Sequence, residues 1–506
     1  MPHAQPGVPL DVMRRGARGA LALALRQALA QLASVAAAVV LARVLTRAEF
    51  GVYGITVFVM NFLVVFGDAG LAAGLVRERE EPSDDDYRAV FTFQQALVAV
   101  LALAGFVAAP SIAALLSRDL DLVPLVRAAA LALVLASFQS VPTARLERHL
   151  RFDRLAVVEV AQALAFNAVA VACALGGLGA TSMAAALVAR AATGAVAVRL
   201  VEPWPARWRW DWPRVRARLR FGLGFQGAAF VNMLRDALVP VFVGATLGSA
   251  AVGGIFFARM LSFYPFVVVY MLQRLLLPMF ARLQHDAAGL RRAASASLFA
   301  VAAAVVPVQA LVFALQEPIV RVVFGEPWVT TLAVYRWLWL ASVLEPQLVV
   351  GIALLNALGR SARTLRFVVT TTALTWVLGV PLLLLAGPVG YGIATTALLV
   401  VKQGLVGEVD EASGLSTLAV VAPVWAAGLG AGALVAVLSA WWAPAGVLSL
   451  GALLAAGLVA YGALLLALAG GPTRAALAWL RSELRRVPVV GDAAGLASGA
   501  GQGAPR

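Results

Sequence analysis

The chain has 506 residues, is 62% hydrophobic, and carries a formal net charge of +14 from 40 basic and 26 acidic residues. Its mean hydropathy of +0.88 exceeds what a soluble core absorbs, and roughly 14 apolar spans of about 20 residues leave no room for a sizeable soluble domain. One cysteine, Cys173, excludes an intrachain disulfide, and His3, His149 and His285 make no metal-ligand pattern and sit outside the spans.

The apolar segments run over 17–44, 50–75, 88–116, 122–144, 154–176, 179–201, 217–246, 250–280, 293–315, 329–358, 364–386, 389–407, 415–440 and 445–470. The expected fold is an all-α polytopic membrane protein. The first stretch outruns the apolar region of a cleavable signal peptide and reads as a permanent span. Arg14, Arg15 and Arg18 precede it, and further arginines crowd into every second gap: Arg77, Arg79 and Arg88; Arg145, Arg148, Arg151 and Arg154; six between Arg207 and Arg220; Arg282, Arg291 and Arg292; Arg360, Arg363 and Arg366. The other gaps hold few, such as Arg43, Arg47, Arg118 and Arg321, or are tight glycine turns near Gly176, Gly248 and Gly387. This asymmetry places both termini in the cytoplasm of a bacterial inner-membrane protein. The gap around Glu408, Asp410 and Glu411 is acidic and carries no weight in that rule.

The expected organisation is a head (1–16), a first six-helix lobe (17–201), a basic, Trp-rich linker (202–216), a second six-helix lobe (217–407), a final helix pair (408–470) and a tail (471–506). Residues 41–82 and 243–284 read as two copies of one hairpin, offset by about 202 residues. An even number of spans per copy makes the repeats parallel, about an axis along the membrane normal. Trp204, Trp208, Trp210 and Trp212 among arginines read as an interfacial belt against anionic lipid, not a nucleic-acid patch. The tail around 474–487 reads as an interfacial amphipathic helix. Residues 222–227 fit G-x-G-x-x-G, but no strand precedes them, so small-residue helix packing is the better account. There is no Walker A sequence.

Leu41-Ala42-Arg43-Val44-Leu45-Thr46-Arg47-Ala48-Glu49-Phe50-Gly51-Val52-Tyr53, followed by Phe66-Gly67-Asp68-Ala69-Gly70-Leu71, resembles the opening of Wzx-type polysaccharide flippases of the multidrug/oligosaccharidyl-lipid/polysaccharide exporter superfamily. Further likenesses follow in order: Val141-Pro142-Thr143-Ala144-Arg145, Phe221-Gly222, Leu277-Pro278-Met279-Phe280, Val323-Phe324-Gly325-Glu326-Pro327-Trp328 and Asn356-Ala357-Leu358-Gly359-Arg360. They span most of residues 20–400. The resemblance implies two lobes working by alternating access. The implied substrate is an undecaprenyl-pyrophosphate-linked oligosaccharide. Membrane lipids, and the polymerase and glycosyltransferases of the same pathway, are the implied partners. No cofactor is implied beyond a proton or sodium gradient. Members with 14 spans are similar in helix number to lipid II flippases, whose last helix pair offers a groove to the lipid tail, and residues 415–470 take that role by analogy.

A diphosphate with sugars crosses about 30 Å of hydrocarbon only through a polar, cationic cavity, so ionisable groups inside spans are the candidates. The cationic set is Arg26 with Gln27, Arg235, Arg259, Arg274 and Arg336. Asp236, Glu159 and Glu345 are candidate ion-coupling carboxylates. Gln31, Gln162, Asn167, Arg190, Gln226, Asn232, Gln273, Gln347 and Asn356 complete the polar inventory. Each has a plainer reading. Arg274 and Arg336 lie where arginines snorkel to headgroups. Arg235 and Asp236, about 100° apart on a helix, need not pair, and Asp236 could neutralise an arginine of another helix. Glu159 and Glu345 could be salt-bridge partners. A drug exporter of the same superfamily would favour acidic cavity groups. A membrane-embedded glycosyltransferase or polymerase would need a large catalytic outer loop. Neither pattern is present, so a non-enzymatic flippase is expected.

Overall fold

Backbone polar groups that find no water in hydrocarbon must pair within their own segment, which drives so apolar a chain into helices. The computed structural model describes residues 31–468, apart from 69, 79, 118–120, 150, 443 and 445. Arg26, Gln27, the head and the tail lie outside the described residues. Every regular element among the described residues is helical. The first half holds α1 (Gln31–Val44), α2 (Arg47–Asp68), α3 (Leu71–Arg77), α4 (Asp84–Val107), α5 (Ala109–Leu116), α6 (Val123–Arg148), α7 (Phe152–Leu175) and α8 (Thr181–Val201). The second begins with α9 (Trp212–Asp236), which runs through a π-helical stretch, Leu238–Val243, into α10 (Gly244–Leu247). It continues with α11 (Ser249–Phe263), α12 (Val267–Arg282), α13 (Ala287–Ala314), α14 (Gln316–Ile319), α15 (Leu332–Ser342), α16 (Glu345–Ala357), α17 (Ser361–Ala386), α18 (Pro388–Ala397), α19 (Leu399–Ser413), α20 (Thr417–Trp441) and α21 (Val447–Leu468).

Eleven of these stretches are long and apolar enough to cross a membrane. The remaining sequence segments are α1, α2 and the interrupted pair α11–α12. The chain is a multi-pass membrane protein whose helices alternate between an arginine-rich end and an end of glycine turns. Gly248, at φ 84°, makes the turn into α11 in a conformation that L side chains resist.

Two expected segments of the first half break near one end, 50–75 between α2 and α3 and 88–116 at Ala108 between α4 and α5, and three of the second half break midway. Residues 250–280 divide at a 3-10 turn, Tyr264–Phe266, residues 329–358 at Val343-Leu344, and residues 389–407 at Leu398. Pro265 and Pro346 sit at the first two of these midway breaks, where each removes a backbone donor. The Trp-rich linker is shorter than expected, because α9 starts at Trp212, with Asp211 accepting from the Arg214 amide. Glu408, Asp410 and Glu411 lie on α19, not in a gap.

The breaks coincide with a division of the apolar interior. One core, at the glycine-turn end, takes Phe257 of α11, Leu338 of α15 and Tyr391 of α18 together with Phe50, Leu125, Phe166 and Leu187 of the first half. A second, at the arginine-rich end, takes Phe280 of α12, Leu354 of α16 and Val409 of α19 with α13 and α20. A third packs Leu75, Phe91, Val141 and Val215. Each broken helix thus hands one half to one core and its other half to another.

Candidate functional site

Three charged side chains of the second half meet where α9 gives way to its π-helical stretch. Asp236 Oδ1 lies 3.5 Å from Arg259 Nη2 of α11 and 3.6 Å from Arg235 Nε. From the sequence Arg235 and Asp236 need not pair and Asp236 could neutralise an arginine of another helix; in the structure one carboxylate meets both its neighbour Arg235 and Arg259 of α11. A π-turn adds a residue to the helical repeat and re-aims the side chains around it. Trp376 Nε1 of α17 donates to the Leu234 carbonyl at 2.9 Å, bracing the backbone there. All three side chains are a third or more exposed, so the group is not sealed in a core. Within this group two guanidinia share one carboxylate.

In the first half, Arg190 of α8 is half-buried and within electrostatic range of Glu159 of α7 and Tyr53 of α2. Tyr53 in turn packs edge-on against Phe256 of α11, with ring centroids 5.4 Å apart, one helical turn before Arg259. At 1.5 Å per residue, Arg190, Arg235 and Arg259 each lie roughly 15 Å from the glycine-turn end. That is mid-depth in a hydrocarbon layer of about 30 Å. Beside Arg190, Gln162 donates to Gln139 Oε1 at 2.5 Å and Gln139 donates to the Ala191 carbonyl at 3.1 Å. Asn167 donates to Ser34 Oγ at 2.9 Å.

Glu345 has a different partner. Lys402 of α19, 7% exposed, donates to Glu345 Oε1 at 2.6 Å and to the Ala341 carbonyl at 2.8 Å. Ala341 is in the last turn of α15, where carbonyls lose their intrahelical donors. The pair therefore clamps the α15–α16 break to the helix that follows the α18–α19 break. Gln309 of α13 supports the same joint, its side-chain amide donating to Ser342 Oγ at 2.8 Å and its backbone carbonyl accepting from Trp339 Nε1 at 3.1 Å.

The remaining sequence candidates do not converge on this region. Arg336 donates to Gln316 Oε1 of α14 at 3.0 Å in an exposed position near the glycine-turn end, as a snorkelling arginine does. Arg274 lies on α12, but its side chain, like those of Gln226 and Gln273, is outside the described residues.

Among the described residues, contacts join the two halves at both ends. At the glycine-turn end, a Cβ added to Gly51 would collide with the Ser249 carbonyl and sit 3.0 Å from the Gly253 amide nitrogen. One added to Gly253 would collide with the Arg47 carbonyl and sit 3.0 Å from the Gly51 nitrogen. Positions 47 and 51 correspond to 249 and 253 at the repeat offset, so the contact is reciprocal. Around it, Trp328 donates to the Ala42 carbonyl at 2.8 Å, stacks on Phe257 and meets Phe50 edge-on, and Arg43 caps the Val322 and Val323 carbonyls. At the arginine-rich end, Arg218 of α9 meets Glu78 at 2.7 Å and Asp86 at 3.1 Å, Arg214 meets Asp86 at 2.7 Å, and Arg209 meets Asp85 at 2.7 Å. Arg148 gathers the Leu75, Glu78 and Glu80 carbonyls and the Glu81 carboxylate. That hydrogen bond to Glu81 is the main cause holding its carboxyl below the usual range. Trp204 and Trp208 pack on Phe91, and Trp210 and Trp212 on Phe93, so the tryptophans are partly pinned to α4.

Sequence reasoning missed the partners, not the charges. Lys402 is the only lysine and lies inside a span, but its attachment to Glu345 is tertiary. Among the described residues no group of three His, Cys, Asp or Glu could hold a metal ion.

The family described as "Polysaccharide biosynthesis protein" matches residues 40–333. The succinoglycan biosynthesis transport protein ExoT of Rhizobium meliloti (strain 1021) is 27% identical over 299 residues, 59% of this chain and 59% of its own length. The lipopolysaccharide biosynthesis protein WzxC of Escherichia coli (strain K12) is 24% identical over 312 residues, 60% of this chain and 62% of its own. The chain thus matches about three fifths of these relatives' length. Among solved structures, the lipid II flippase MurJ in an inward closed conformation superposes with a TM-score of 0.73 at 11% identity, over 88% of this chain and 98% of its own. An inward-facing multidrug MATE transporter of the MOP superfamily gives 0.56 at 14% identity, over 77% and 96%. At these identities the likeness is one of fold.

Proposed function

This chain belongs to the polysaccharide biosynthesis protein family, and from that premise we propose that it is a flippase. Its substrate is an undecaprenyl-pyrophosphate-linked oligosaccharide, carried across the bacterial inner membrane by alternating access between lobes 17–201 and 217–407. The observation that carries the reading is the mid-depth pairing of Arg235 and Arg259 on the single carboxylate of Asp236. Charge at that depth is expensive and therefore functional by default. An arriving diphosphate offers the two guanidinia more anionic oxygen than Asp236 does, in the bidentate geometry that favours arginine. Arg190 faces the same level from the other half, and the amides of Gln139, Gln162 and Asn167 suit sugar hydroxyls. Arg26 and Gln27 of the first span are proposed to join them.

No catalytic step is assigned to the protein. The arginine-rich end faces the cytoplasm in this proposal, with both termini on that side. A proton or sodium gradient supplies the drive. Asp236 is its proposed point of action, since a proton or sodium ion on Asp236 frees both arginines for substrate. Glu159 is the second choice. Glu345 is less available because Lys402 already neutralises it. Like ExoT and WzxC, by their names, this chain is placed in surface-polysaccharide biosynthesis, with a polymerase and glycosyltransferases as pathway partners. A MATE-like drug exporter remains the second reading on fold, but the excess of arginine over carboxylate at mid-depth disfavours cationic drugs.

The test is transport of a fluorescent undecaprenyl-pyrophosphate oligosaccharide in proteoliposomes. Arg259→Ala should lower the rate by at least about tenfold, the worth of a charged hydrogen bond, at unchanged protein content. Full activity of that variant would remove the cavity assignment, and a wild-type protein that moves only a cationic dye would remove the flippase.

A further inference from the structure

At the arginine-rich end of the α7–α8 pair, Glu202, just past the end of α8, is 6% exposed and is approached by three arginines. Arg151 Nη1 lies 3.0 Å from Oε2, Arg154 Nη1 3.5 Å from Oε2 and Arg145 Nε 3.5 Å from Oε1. Arg145 is turned inward: it also meets Asp84 at 3.6 Å and lies over the Tyr87 ring at 5.2 Å. Arg151 and Arg154 are turned outward, each with 46% of its side chain exposed. Arg154 Nη1 also donates to the Val201 carbonyl at 2.9 Å, which fixes the guanidinium against the helix end. Each guanidinium has five N–H donors, and most of those on Arg151 and Arg154 have no partner among the described residues. Asp153, between them in sequence, forms no ion pair with either.

The surface deeper in the membrane is apolar and uncovered. Leu200 is 77% exposed and Val196 60%, and Val157, one helical turn from Arg154 on α7, is exposed too. The same helix pair therefore offers, in order from its end, two outward guanidinia sharing one carboxylate and then a lipid-facing aliphatic strip. A phosphodiester headgroup fits the first and its acyl chain the second. Basic pockets between helices at a membrane's charged face take anionic headgroups in this way.

We propose that Arg151 and Arg154, anchored by Glu202, form a binding site for the phosphate headgroup of an anionic membrane phospholipid, whose chain lies along Val157, Val196 and Leu200. This site requires only that the protein sit in a membrane, and stands apart from the flippase reading.

Native mass spectrometry of the purified full-length chain, titrated with phosphatidylglycerol or phosphatidylcholine, tests it. Wild-type protein should retain phosphatidylglycerol in preference, and Arg151→Gln with Arg154→Gln should weaken that retention by roughly 25-fold, about fivefold per arginine. The thermal melt of the delipidated double variant should match that of wild type. Equal retention of the two lipids by wild type overturns the proposal without any variant. So does a double variant that keeps its phosphatidylglycerol but melts lower, the behaviour of purely structural arginines. If the double variant does not fold, Arg154→Lys, which keeps charge but loses the planar fork, should lose part of the retention; unchanged retention there also overturns it. Undecaprenyl diphosphate forms a further arm: if it displaces phosphatidylglycerol from wild type and binds the double variant poorly, the site belongs to the transported lipid and the phospholipid assignment fails.

Discussion

The two halves of the protein solve the same problem with different mechanics. In the first half, α6, α7 and α8 run unbroken for 26, 24 and 21 residues, although each contributes to one core near the glycine turns and another near the arginines. In the second half, α11–α12, α15–α16 and α18–α19 make the same journey with a joint in the middle. A continuous helix couples the cores at its ends rigidly, because bending it means stretching backbone hydrogen bonds. A broken helix has already given those bonds up. The first half has breaks too, between α2 and α3 and at Ala108 between α4 and α5, but they fall near the end of an expected segment, whereas the joints of the second half fall midway.

The largest expected effect is at the clamp on those joints. Glu345→Ala strands the Lys402 ammonium and should lower stability by about 3 kcal/mol, read as a fall in the thermal melt in detergent. Glu345→Leu with Lys402→Met should recover most of that loss. If the double variant is stable yet inactive in transport, the clamp serves movement; if stable and active, the joints need no ionic latch.

Next in size is the contact between the halves. Gly51→Val and Gly253→Val each drive a side chain into facing backbone and should each cost about 1–3 kcal/mol, with similar falls in melting temperature because the contact is reciprocal. A large disparity would break the equivalence of the two hairpins. A subtler intervention is Pro346→Ala. By restoring a backbone donor at the α15–α16 break it should leave the melt unchanged or slightly raised while slowing transport; an unaltered rate would deny the break a role in turnover. The smallest effect concerns Glu81, whose carboxyl is held below its ordinary 4.5, chiefly by the hydrogen bond from Arg148. A depressed carboxyl contributes stability that is present above its unfolded value and fades as pH falls below it. The wild-type melt should therefore decline from about pH 5 downward, and Glu81→Gln should flatten that decline slightly.

Much of this architecture was legible beforehand because it is written one residue at a time. Apolar runs such as 417–441 announce spans wherever they fold, and Arg145, Arg148 and Arg214 mark one end by composition alone. Arg235, Asp236 and Arg259 were legible as misplaced charges. Their convergence was not, because Arg259 reaches Asp236 from another helix. The break at Leu398 has no proline, and Lys402 meets Glu345 across 57 residues of chain, so neither could be read from local sequence. The breaks at Pro265 and Pro346 were legible in principle and were overridden by the length of the apolar run.

The glycines that touch at the crossing of α2 and α11 carry a further consequence. Residue 51 meets what 253 presents, and 253 meets what 51 presents, as in the interface of a homodimer about a twofold axis. Such an interface requires only one surface to be invented, since the same surface is its own complement. A single ancestral hairpin able to pair with a copy of itself would already have had this closure. Two such copies joined in one chain would keep that symmetric meeting point while the helices beyond it diverged.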